Sequence, residues 1–247
     1  MSTQTVSIAT GDGDLTAFVA TPDEPSERGP AVLVLHELFG LNDDIRRIAR
    51  RFADNGYVAL APDLYSVGPR ARPLCIRRTM QALRSGAGRA FDDIEAARSW
   101  LASYEQVDEE RLAVAGFCMG GGFAILHAAR AAVGAVADFY GAVPRETEAL
   151  EGICPVFGGY GQRDRVFVGQ AQRLRGHLEQ LGVEHEVTVY PGAGHSFMNR
   201  HGPVRSLLVR LSPMAAGYHE ESAEAAWATM LDFFERNLGG TIEPVQP

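Results

Sequence analysis

Apolar and polar positions change their spacing repeatedly along this chain. AVLVLHE, 31–37, opens with an unbroken apolar run, the pattern of a strand covered on both faces. Asn42 or Asp43 then stands where a helix cap belongs. Ile45, Ile48, Ala49 and Phe52 recur at helical spacing until Asn55-Gly56 ends that helix. YVALAPDLY, 57–65, predicts a second buried strand, interrupted by Pro62. Phe91, Ile94, Ala97 and Leu101 mark a helix, and 111–116 a strand. A helix with Ile125, Ala128, Ala129 and Ala132 follows. AVGAVADFYGA and CPVFGGYG each hold a strand. Val168, Ala171, Leu174, Leu178 and Leu181 predict an amphipathic helix closed by Gly182. HEVTVY is a strand, and Ala226, Trp227, Met230, Phe234 and Leu238 make a last helix. Ahead of them, residues 5–20 predict a strand pair around the turn GDGD.

Two stretches break the rhythm. Residues 66–88, rich in Arg, Gly and Pro, predict an excursion carrying one short helix. Residues 199–222 form a connection longer than usual, expected over the surface near the site. Elsewhere strands alternate with helices. That alternation predicts one α/β domain spanning 1–247, with a mostly parallel central sheet and helices on both faces.

Composition narrows the function classes. The formal charge of −8 over 247 residues argues against nucleic acid, whose phosphates need a dense cationic face. The first fifteen residues lack a basic segment followed by an apolar one, so no secretory leader is expected. No apolar run approaches the roughly 18–20 residues that span a bilayer. A cytoplasmic protein is expected, acting alone or as a small homo-oligomer. The cysteines Cys75, Cys118 and Cys154 are too few and unevenly placed for a disulfide framework, and none has metal-ligand spacing.

Cys118 stands apart. Gly116-Phe117-Cys118-Met119-Gly120 has the form of a nucleophile between glycines, at a strand-to-helix turn. Such a bend needs small neighbours, and it sets the side chain at a helix N-terminus, where the dipole favours negative charge on sulfur. A nucleophile there needs a base and an orienting acid from loops after later strands. FGGYGQRD runs strand-like into Asp164, and VTVYPGAGHSF into His195. Nucleophile, acid and histidine thus stand in the chain order of the α/β-hydrolases.

LHELFGLND, GYVALAPDLY, GFCMGG, YGQRD and GAGHSFMN resemble the dienelactone hydrolase family of α/β-hydrolases, with the blocks in family order over most of residues 30–200. The resemblance implies an α/β-hydrolase fold, Cys118 as nucleophile, Asp164 as orienting acid and His195 as base and acid. It implies that Glu37 sits beside the thiol and helps manage its proton. One oxyanion donor is expected from the backbone N–H after the nucleophile, at Met119. By resemblance the other is that of Leu38. The expected reaction cleaves a small ester or lactone through a thioester and needs neither metal nor organic cofactor.

Substrate recognition departs from the family pattern. Members that act on the dienelactone anion hold its carboxylate with arginines, one of them four residues past the histidine. Here that position is Asn199, with Arg200 one later. Arg77 and Arg78 are candidates for a second family arginine, although each arginine alone reads as solvated surface charge. Tyr140, after its strand, is a candidate for the pocket wall, and His36 reads equally as a site residue or a satisfied strand-end histidine. Three rival functions are a general small-ester carboxylesterase, a non-catalytic ligand-binding module and an amidotransferase-type enzyme. The last would complete its triad with the HEE string at His219.

Overall fold

The computed structural model describes residues 1–23, 28–67, 72–200 and 214–239. Its centre is an eight-stranded sheet: β1 (Ser2–Thr10), β2 (Gly13–Thr21), β3 (Gly29–Leu35), β4 (Val58–Pro62), β5 (Val107–Phe117), β6 (Ala135–Phe139), β7 (Val156–Gly161) and β8 (His185–Tyr190). The spatial order is β1-β2-β4-β3-β5-β6-β7-β8. β1 with β2 and β2 with β4 are antiparallel, and every later pairing is parallel. The helices are α1 (Asp43–Asp54), α2 (Arg72–Ser85), α3 (Arg89–Ala102), α4 (Met119–Ala128), α5 (Gln170–Leu181) and α6 (Glu220–Asn237).

Alternating side chains on the strands supply two apolar layers. Ala31, Leu33 and Leu35 of β3 join one layer with Ile94 and Leu101 of α3, Phe123 of α4 and Leu174 and Leu178 of α5. Val32 and Val34 join the other, with Ile45, Ile48 and Phe52 of α1 and Trp227, Met230 and Phe234 of α6. A sheet buried on both faces explains why its central strands read as continuous apolar runs. Asn42 caps α1 by accepting from the Asp44 and Ile45 amides at 3.0 Å each.

The excursion differs from the sequence expectation. The expected helix is present but longer than a short one: α2 spans 14 residues, and its buried stripe, Cys75, Thr79 and Ala82, is narrow and mixed. The expected strand at 57–65 stops at Pro62, and the Asp63 amide turns back to Thr16 O at 2.8 Å.

This topology places a site. From β3 the chain crosses to β4 on one side, then returns to lay β5 on the other. Open parallel sheets bind ligands at such a reversal, outside the strand C-termini. Leu35 and Gly116, near those ends of β3 and β5, are register partners. The approach there is close: a Cβ on Gly120 would lie 2.2 Å from Leu35 O, and one on Gly116 2.1 Å from Gly120 O. Both contacts are to backbone, so neither can be relieved by a rotamer change. Gly120→Ala should therefore destabilise the fold by about 3 kcal/mol, read as a shift in the urea midpoint at unchanged slope.

Candidate active site

Cys118 joins β5 to α4 with φ 56° and ψ −113°, a left-handed conformation that side chains other than glycine rarely adopt. The bend is held from both sides. The Cys118 amide donates to Phe139 O at 2.9 Å, and Cys118 O accepts from the Gly121 amide at 3.0 Å. Behind it, fully buried Asp138 accepts from the Gly141 amide and from the Tyr160 hydroxyl, and burial pushes its pKa up to about 6.

Asp164 follows β7. Its Oδ1 accepts from the Val166 and Phe167 amides at 3.0 and 3.1 Å, which fixes the carboxylate. Its Oδ2 lies 2.6 Å from His195 Nδ1, so the carboxylate holds the proton-bearing Nδ1. The loop bearing His195 is tied by its amide to Met214 O at 2.9 Å and by its carbonyl to the Gly217 amide at 3.0 Å. Phe167 stacks on the imidazole with ring centres 4.6 Å apart, and Tyr140 contacts it at 5.1 Å.

His195 Nε2 is buried and has no partner in ordinary hydrogen-bond geometry among the described atoms, yet Cys118 is near enough to act on the ring. Burial is the largest influence and pulls the pKa down. Interaction with the Asp164 and Cys118 side chains outweighs it and raises the ring to about 10. Since this lies above the usual 6.5, protonation of His195 favours the folded state. The contribution is full below pH 6.5 and fades as pH rises toward 10. Imidazole NMR signals of His195 should therefore titrate near pH 10, and Cys118→Ala, which removes one of the two partners, should move that midpoint down.

Glu37, just beyond β3, is buried beside the elbow, and its Oε2 accepts from Ser196 Oγ at 3.5 Å. The charges of both Glu37 and Cys118 act on Tyr140, whose hydroxyl is raised well above its ordinary value, chiefly by burial. Leu38 and Met119 border the same cavity, and neither amide is engaged with another described residue. The Tyr65 hydroxyl donates to Leu38 O at 3.1 Å and reaches Met119 Sδ at 3.6 Å, bridging the two.

The cavity has a volume of about 280 Å³. Glu37, Leu38, Cys118, Met119, His195 and Ser196 converge on it, with Phe39, Met80, Leu83, Ala142, Phe167, Met214 and Ala216 completing its described walls. A larger cavity of about 540 Å³ lies between Asp12, α2 and the start of α3, and none of the candidate catalytic residues borders it.

Other expected residues fall elsewhere. Arg77 and Arg78 are exposed on α2, whose cavity side is formed instead by Met80 and Leu83. Helical phase turns the arginines away. Asn199 is fully buried rather than facing substrate. It accepts from the Tyr140 hydroxyl and donates to Asp44 Oδ2 at 2.9 Å, so it and Tyr140 form a support behind His195 and not the cavity wall. Arg200 is exposed, stacked 4.4 Å from the Tyr218 ring centre and bonded to that hydroxyl at 3.0 Å. His36 donates from Nδ1 to Glu37 O at 2.7 Å and accepts at Nε2 from the Leu64 amide at 3.1 Å. It joins the ends of β3 and β4 and does not border the cavity. His219 caps α6, accepting from the Ser222 amide.

Sequence reasoning missed Tyr65, Phe167 and Ser196. Tyr65 ends the quoted block APDLY, a signal that was present. Ser196 sits at φ 57°, which only the folded backbone shows. Cys154 is half-buried, and burial pushes its thiol up to about 12, unlike a reactive cysteine. Among the described residues no group of three or more potential metal ligands gathers, and no helix is long and apolar enough to cross a membrane. Most of residues 199–222 expected over the surface, namely 201–213, lie outside the described residues.

A mostly parallel sheet with this strand order, a tight turn after β5 and an acid and a histidine after β7 and β8 define an α/β-hydrolase. The family model for dienelactone hydrolases matches residues 15–238, and the chain belongs to that family. Relatives of this chain carry the name "Putative carboxymethylenebutenolidase". The one from Saccharolobus solfataricus is 30% identical, covering 89% of this chain and 93% of its own. The one from Yersinia pestis is 31% identical, covering 91% and 84%. The crystal structure of a Klebsiella pneumoniae protein, assigned there as a dienelactone hydrolase, superposes with a TM-score of 0.76 at 27% identity, covering 95% of this chain and 98% of that one.

Proposed function

We propose that this chain hydrolyses a carboxylic ester or lactone of the carboxymethylenebutenolidase type, through a triad of Cys118, His195 and Asp164. The observation that carries this reading is the Asp164–His195 bond of 2.6 Å at a cavity that Cys118 also borders.

The steps follow from the positions. Cys118 attacks the carbonyl carbon as a thiolate, its proton held on His195 Nε2. Asp164 keeps the ring oriented and stabilises its positive charge. The carbonyl oxygen becomes an oxyanion, for which the Leu38 and Met119 amides act as donors. Such donors typically lower the barrier by about 2.7–4 kcal/mol each. Collapse breaks the C–O bond, and Nε2 returns its proton to the departing oxygen, leaving a thioester on Cys118. In a lactone the departing oxygen stays tethered to the acyl chain. Water then attacks the thioester with His195 as base, and the acid leaves. Glu37, which borders the same cavity as Cys118, helps manage the thiol's proton.

The amidotransferase alternative finds no support at His219, which acts as a helix cap. The test is direct. The protein incubated with p-nitrophenyl acetate should turn it over, and rapid acid quench should trap an acetylated peptide containing Cys118. Turnover with acylation elsewhere would remove Cys118 as the nucleophile, and no turnover, with slow ordinary labelling of Cys118 by a thiol-reactive probe, would replace this reading with that of a binding module.

A further inference from the structure

Resting on the hydrolase reading above, we infer that a second carboxylate, that of Asp44, is a positioning residue for His195, acting through Asn199 and Tyr140. Asp164 bonds the imidazole at one atom, Nδ1. One hydrogen bond fixes a point and leaves the ring free to tilt about it. That tilt decides where Nε2 lies between the sulfur and the departing oxygen. The ring is set by its packing as well, with Phe167 at 4.6 Å and Tyr140 at 5.1 Å between ring centres. Phe167 rides on a turn between exposed Val166 and Val168. Tyr140 is fully buried, so it is the wall with less room to move.

The backbone at Tyr140 has φ 47°, a conformation that persists only where the surroundings impose it. Its amide donates to Gly159 O at 2.9 Å, and its hydroxyl donates to Asn199 Oδ1. An asparagine amide presents a donor on one side and an acceptor on the other. Asp44 decides which way it faces: its Oδ2 accepts from Asn199 Nδ2 at 2.9 Å, which turns Oδ1 toward the tyrosine. Arg47 fixes the same carboxylate, donating to Oδ1 from Nε at 2.8 Å and from Nη2 at 2.7 Å. Its Nη2 also donates to Met198 O at 3.2 Å. The first turn of α1 thus grips the His195 loop at residues 198 and 199 and, through the asparagine, the ring that packs against His195. Asp44, Asn199 and Tyr140 are all buried, where a polar chain is strong only while every member is satisfied.

The test reads p-nitrophenyl acetate hydrolysis beside proton NMR, in protein that a denaturant curve shows to be folded. Tyr140→Phe keeps the ring and removes the hydroxyl. Asp44→Asn keeps the volume and the acceptor for Arg47, but puts an NH₂ group where Oδ2 accepted from Asn199. That turns the Asn199 oxygen away from Tyr140. Each variant should lower kcat about 10- to 100-fold, the scale of a misplacement of about 1 Å, with KM little changed. Because the two act in series, the double variant should fall no further than the worse single one. The His195 Nδ1 proton, bonded to Asp164, should give a sharp far-downfield signal in the unsubstituted protein and a broadened one in each variant. Folded Tyr140→Phe with unchanged kcat and a sharp signal would overturn the inference and leave the hydrolase reading standing. So would losses that multiply in the double variant, since the two residues would then act independently. No turnover by the unsubstituted protein would instead overturn the hydrolase reading, and this inference with it.

Discussion

Cys118→Ala should lower kcat for ester hydrolysis by about 10⁴-fold or more while the protein remains folded. The two effects separate because different atoms carry them. In the proposed mechanism the sulfur forms the bond to the acyl group, and alanine has no atom that can replace it. The bend itself is held by the backbone bonds to Phe139 O and from the Gly121 amide, which alanine keeps. Alanine also fits the space, since it is smaller than the residue it replaces. Steady-state rates beside a denaturant curve check both halves. Retained turnover in folded protein would remove Cys118 from the mechanism.

Asp164→Asn should lower kcat by about 10⁴-fold as well, with KM little changed. The asparagine oxygen can still accept from the Val166 and Phe167 amides, so the loop should keep its shape. The NH₂ group would then stand where Oδ2 now faces His195 Nδ1. A donor there drives the ring into the tautomer with its proton on Nε2, and that nitrogen can no longer take one from sulfur. The loss of the charge also withdraws part of what raises the ring to about 10. Kinetics together with the His195 NMR titration separate this from simple unfolding. A variant with normal kcat would mean that the imidazole is oriented by other contacts, such as its stack with Phe167.

The parts of the site that local sequence made legible are those fixed within a few residues. AVLVLHE and the glycines around Cys118 announce a buried strand and a tight turn because the backbone there has few options. Asp164 and His195 could be found because each follows a strand whose end must face the same rim. The side chains that line or support the cavity were harder. Asn199 and Tyr140 look like pocket residues in one dimension, but the chain rotates them behind the imidazole, where Asp44, some 155 positions away, completes their bonding. Arg77 and Arg78 lie on a helix whose phase no periodicity revealed, because only a narrow stripe of α2 is buried. Tyr65 acts through its hydroxyl on the Leu38 carbonyl, a contact set by how β3 and β4 end side by side.

The pentapeptide at 116–120 also divides its labour in a way that should be visible to random mutagenesis. Gly116 and Gly120 admit no added carbon because peptide atoms already occupy the space. Position 118 faces a cavity, and in the proposed mechanism its side chain supplies the reacting atom. Substitutions at the two glycines should therefore deplete the yield of intact protein, whereas small unbranched replacements at the middle position, such as alanine, should give well-behaved but silent molecules. The frame can thus outlast a change of nucleophile, and a different reactive atom could be tried on it without rebuilding the scaffold.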